Sequence, residues 1–83
     1  MLQLVLPDGF DEYAWVVEAK GWYQSARLKL DGRMIPVEFY DPCRLAQTVA
    51  DEVEGRGRSL LTRVIVVERV TREAMIEAVA GMT

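Results

Sequence analysis

The stretch "SARLKLDGRMIPVEF", residues 25–39, sets two alternating runs on either side of Asp31-Gly32. Ala26, Leu28 and Leu30 alternate before the pair, and Ile35, Val37 and Phe39 alternate after it. Asp-Gly suits a two-residue type I′ turn, which requires φ > 0 at both central positions. That turn sets Leu30 opposite Arg33, Leu28 opposite Ile35 and Ala26 opposite Val37, so the apolar residues of both strands share one face. The hairpin therefore defines an inside and an outside, and the rest of the chain is read against it.

Upstream, "DEYAWVVEAKGWYQ" (residues 11–24) supports two readings. Acidic residues at its start, Lys20 near its end and Gly21 after it fit a helix over 11–20. The β-formers of "WVVEA" fit a strand instead. A tight turn at Lys20-Gly21 would set Ala19 against Trp22, Val17 against Gln24 and Trp15 against Ala26, bringing Tyr13, Trp15, Val17 and Ala19 to the apolar face. This coincidence of register favours the strand.

Downstream, Asp41 is a candidate N-cap and Pro42 a favoured first helical residue, giving a helix over 42–54 with Gly55 as terminator. Leu45, Val49, Pro42, Val53, Ala46 and Ala50 form its apolar stripe, so the helix is expected to lie on the sheet. Four consecutive aliphatics, Val64 to Val67, indicate a strand with cover on both sides or a central place in the sheet. Thr71 caps a last short helix with Met75, Ala78, Val79 and Met82 on its apolar side. Pro36 falls in a non-hydrogen-bonded pair with Arg27 and aims its missing N–H outward, which marks the second hairpin strand as an edge and sends the Val64 strand to the far side, beside the Tyr13–Ala19 or the "LQLVL" strand. The expectation is a single small α+β domain over 1–83, a mainly antiparallel twisted sheet of four to five strands with two helices on one face, in the order β-β-β-β-α-β-α.

Eighty-three residues with 51% hydrophobic and 28% charged side chains suit one folded core. A net charge of −3 disfavours nonspecific nucleic-acid binding. One cysteine makes no internal disulfide, and without histidine the usual Cys/His zinc sites are excluded. The start, "MLQLVLPDGFDE", has no basic region and only a five-residue apolar run before Pro7, so neither a signal peptide nor a membrane span is expected, and a cytoplasmic location is the default.

Three groups invite a chemical reading. Cys43, in the first turn of the 42–54 helix, would gain acidity from free N–H groups, but the Asp41 carboxylate opposes a thiolate and no histidine base exists, so a structural role is expected. Asp8, Asp11 and Glu12, and separately Asp51, Glu52 and Glu54, are carboxylate clusters without calcium-loop spacing, read as solvated acids. "GRGRS" (residues 55–59) runs from a helix end into a strand, the wrong order for a phosphate loop. No cofactor, metal or catalytic residue is expected.

The outer sheet face is the candidate binding surface. On this register Tyr23, Ser25, Arg27 and Lys29 point away from the helices, joined by Glu18, Met34, Glu38 and Tyr40. Tyr and Arg are the residue types that anchor interfaces, and Tyr23, Arg27, Lys29 and Tyr40 are the expected contacts. The functional expectation is a non-enzymatic module that binds another protein or a second copy of itself. A carboxylate- or thiol-dependent enzyme is the alternative, and a single-stranded nucleic-acid platform ranks third.

Overall fold

The computed structural model describes residues 2–82. Its elements are β1 (Gln3–Val5), α1 (Phe10–Lys20), β2 (Trp22–Leu30), β3 (Arg33–Tyr40), α2 (Pro42–Arg56), β4 (Val64–Val66) and α3 (Arg72–Ala80). The fold is α+β, with a mixed four-stranded sheet in the order β1-β2-β3-β4 and three helices. β1 and β3 flank β2 antiparallel, while β4 runs parallel to β3.

The hairpin has the expected register, with Leu30 opposite Arg33, Leu28 opposite Ile35 and Ala26 opposite Val37. Asp31 (φ 50°) and Gly32 (φ 81°) supply the two left-handed residues of the turn. Below Ala26 the register shifts, because a bulge at Gln24-Ser25 puts Tyr23 opposite Phe39 and Trp22 opposite Tyr40.

Several expectations are corrected. Residues 11–20 are helix, not strand: Phe10, Ala14 and Val17 recur at i, i+4 and i+7 and pack into the core, which outweighs the β preference of Trp15, Val16 and Val17. Gly21 is the left-handed C-cap of that helix (φ 72°), its N–H donating to the Val17 and Glu18 carbonyls, rather than half of a strand turn. The element order is thus β-α-β-β-α-β-α, with three helices instead of two. β3 is interior, not an edge. Its pairing with β4 covers only Glu38 to Tyr40, so Pro36 lies beyond the ladder and costs it no hydrogen bond. The Val64 strand is accordingly an edge beside β3, neither central nor on the far side. α2 passes through Gly55 and stops at Gly57, whose N–H donates to the Val53 carbonyl at 2.8 Å.

The core lies on one face of the sheet. Phe10 and Val17 of α1 and Met75 and Val79 of α3 pack with Ala26, Leu28, Val37 and Phe39, closed below by Val67 and Val70. Thr71 caps α3 by accepting from the Ala74 N–H at 3.2 Å. Asp41 caps α2, its Oδ1 accepting from the Arg44 N–H at 2.7 Å. α2 has no fully buried residue and contributes nothing to the core cluster, so its apolar stripe does not lie across the sheet as expected. It meets the opposite face at one end, where Arg44 stands 5.2 Å over the Trp22 ring.

Candidate functional site

The bulge in β2 decides which side chains meet. Two successive polar residues, Gln24 and Ser25, occupy the space of one ladder position, so Tyr23 and Ala26 both face the helices although they are three residues apart. Tyr23 packs edge-on against Phe10, ring centroids 5.1 Å apart, and burial pushes its phenol pKa upward, with the Ser25 side chain opposing. Trp22 and Tyr40 are left on the second face, ring centroids 6.2 Å apart and planes inclined by 32°.

The four expected contacts therefore do not form one surface. Arg27 and Lys29 are exposed on the second face beside Gln3, Val5, Met34 and Pro36. Tyr40 is on that face too, but four residues further along β3, about 13 Å at the strand rise. It is only 4% exposed. Tyr23 is on the other face. Glu18 belongs to α1 and lies 3.8 Å from Arg69.

Around Tyr40 a small polar cluster closes the end of the second face. The phenol donates to Glu38 Oε1 at 2.9 Å. Burial first, then that hydrogen bond and the Glu38 charge, with a smaller contribution from Glu52, push its pKa up to about 12. Nε of Arg44 is buried here without a hydrogen-bond partner, and the buried indole N–H of Trp22 lies beside the Tyr40 phenol, where it opposes part of the upward shift.

A concave feature forms where β2 runs unaccompanied. β1 pairs only with Arg27 to Lys29, so residues 22–25 present a free edge toward α1. The Asp41 N–H donates to the Gly21 carbonyl at 2.8 Å, which makes Trp22-Tyr40 the non-bonded pair and turns the Trp22 backbone amide and carbonyl toward that edge. The resulting groove, about 270 Å³, is walled by Tyr13, Val16 and Lys20 on the helix and by Trp22, Tyr23, Gln24 and Ser25 on the strand. Three of the chain's five Tyr and Trp residues line it, and Tyr40 backs Trp22. Tyr13, 63% exposed, stands at its rim, while Trp15, 74% exposed, projects from the outer side of α1. Sequence reasoning missed the groove because it placed 11–20 in the sheet. The available signal was the spacing of Phe10, Ala14 and Val17.

Of the chemical candidates, Cys43 is an exposed free thiol. Among the described residues no three His, Cys, Asp or Glu side chains gather as a metal site, and no helix is long and apolar enough to cross a membrane. No family model matches the chain, nor does any curated protein or solved structure.

Proposed function

We propose that this chain is a non-catalytic binding module whose groove between α1 and β2 takes a segment of another protein. The observation that carries this reading is the concentration of aromatic side chains at a strand edge that no strand pairs among the described residues: Tyr13, Trp22 and Tyr23 offer large amphipathic area, and the Trp22 backbone offers a donor and an acceptor beside it. Aromatic anchors next to free backbone groups support recognition of an extended segment, with the main chain supplying affinity and the pockets selectivity. The net charge of −3 favours a protein over a nucleic acid as partner. An exposed thiol that has no cysteine to pair with suits a reducing, cytoplasmic setting.

The test is retention of a partner from host lysate, its identification by mass spectrometry, and titration of the purified partner onto the wild type and variants. Tyr13→Ala with Lys20→Ala, both at exposed positions, should weaken binding at least about tenfold while circular dichroism stays unchanged. Equal binding by this double variant would refute the groove. Loss on Trp15→Ala alone would move the contact to the outer side of α1.

A further inference from the structure

The sheet ends on β1, and shortness, three residues in the ladder, is the one device that blunts this edge among the described residues. Natural sheets also protect an outer strand with charge, proline or a bulge. The run Leu2 to Leu6, "LQLVL", contains none of these, in a chain with 28% charged residues, and the first proline comes at Pro7. The opposite edge, β4, is flanked by Arg63, Glu68 and Arg69.

The ladder fixes which backbone groups face outward. The Glu38 N–H donates to the Arg63 carbonyl and the Tyr40 carbonyl accepts from Val67, so even-numbered residues of β3 face β4 and odd-numbered ones face β2. Above the bulge, Leu28 then bonds Ile35, while Arg27 and Lys29 turn to β1 and bond Val5 and Gln3. Leu4 occupies the non-bonded pair with Leu28, so its N–H and C=O point away from the sheet. Beside this edge, on the core face, Leu2, Leu4, Ile76, Val79 and Ala80 border an apolar groove of about 320 Å³, and Ile76 remains 47% exposed.

We propose that β1 pairs antiparallel with β1 of a second copy about a two-fold axis at Leu4, joining two sheets into one of eight strands. The occupant is specified by symmetry: "LQLVL" has leucine at both ends and at its centre, so the axis sets Leu4 against Leu4 of the other copy, Leu2 against Leu6 and Gln3 against Val5. Every outward-facing residue of one copy meets an outward-facing residue of the other, all the leucines fall on the core face, and no like charges are opposed. Such an isologous contact closes after two chains. It uses residues separate from the α1–β2 groove. A three-residue strand, extended on pairing to Leu2 and Leu6, is a small interface, so association in the micromolar range or weaker is expected.

Sedimentation and light scattering across concentration should show the mass rising from 9.4 kDa toward twice that. Hydrogen exchange should show protection of the Leu4 amide growing with concentration. Gln3→Glu with Val5→Glu places glutamate against glutamate at both non-bonded pairs, while within the chain each faces Lys29 or Arg27, and should weaken association by about tenfold or more. Gln3→Lys with Val5→Glu alters the same two positions, on the face away from the core, but opposes unlike charges and should restore the dimer. A wild type that stays at monomer mass with an unprotected Leu4 amide overturns the proposal and leaves the edge to a foreign strand. Equal association by both charge variants overturns the register.

Discussion

Replacing Gly21 with alanine should cost more than its backbone angle alone predicts. Gly21 is buried, holds φ 72°, and lies where three elements meet: it caps α1, its carbonyl accepts from the Asp41 N–H, and the Asp41 carboxylate packs over its Cα. A Cβ there would fall 2.7 Å from Asp41 Cγ and 2.9 Å from Oδ1, and would overlap Oδ2. The carboxylate must rotate away, and it is the group that caps α2. The left-handed angle contributes about 1 kcal/mol for a non-glycine residue, and loss of an aspartate cap about 1 kcal/mol more. A loss of about 2 kcal/mol is large for a domain of this size, whose total stability is about 4–12 kcal/mol.

Urea unfolding followed by circular dichroism measures the effect, and at a slope of about 1 kcal/mol per molar the midpoint should fall by about 2 M. Gly57→Ala is the control. It has a similar angle, φ 77°, with nothing near the added carbon, and should lose only about 1 kcal/mol. Asp41→Ala should also lose about 1 kcal/mol, through the cap. Because Gly21→Ala already displaces that cap, the double variant should be no less stable than Gly21→Ala alone, a departure from additivity of about 1 kcal/mol. Equal midpoints for Gly21→Ala and Gly57→Ala, or additive losses in the double variant, would refute the coupling of the two caps.

Gly32→Val places a β-branched residue at φ 81° in the hairpin turn and should destabilise by about 1 kcal/mol or more, read from the urea midpoint. Tyr40 has a folded pKa of about 12, above its ordinary 10, so its contribution is complete below pH 10 and is lost as pH rises from 10 toward 12. Tyr40→Phe should therefore lose less stability than the wild type over that window, with about 1 kcal/mol lost at neutral pH for the missing bond to Glu38; parallel pH profiles would exclude this. Cys43→Ala should leave the midpoint within about 0.5 kcal/mol, and alkylation of Cys43 many times faster than free cysteine would contradict a passive thiol.

What the sequence makes legible is local. Asp31-Gly32 between two alternating runs dictates a turn and a register without help from elsewhere, and Asp41-Pro42 and Thr71 mark helix starts by groups that satisfy nearby N–H donors. Gly21 is ambiguous because a left-handed glycine serves equally as half of a hairpin turn and as a helix C-cap. The choice is settled by Phe10 and Val17 reaching the core, a tertiary fact. Pro36 misleads for a different reason: it forbids a bond at one position, whereas β4 joins β3 just beyond it. The bulge does leave a trace, since Tyr23 and Ala26 flank two polar residues where strict alternation allows one. Tyr23 takes the face opposite to the one strict alternation predicts because the bulge lies between it and Ala26, whereas the unbroken alternation of β3 does carry Tyr40 to the outer face with Pro36.

The packing of α3 beside β1 brings Val79 and Ala80 to Leu2 and Leu4, so the last helix and the first strand meet across nearly the whole chain. Their contact closes a loop of more than 70 residues, whereas the β2–β3 hairpin closes one of two and forms on the microsecond scale. The hairpin is thus free to form long before its apolar face is covered. Until Met75 and Val79 dock, Leu28, Val37 and Phe39 have only Phe10 and Val17 of α1 as helical cover. A chain cut before Arg72 would keep that pair and α1 but lose the α3 half of its cover, exposing apolar sheet of the kind that chaperones bind and aggregates recruit.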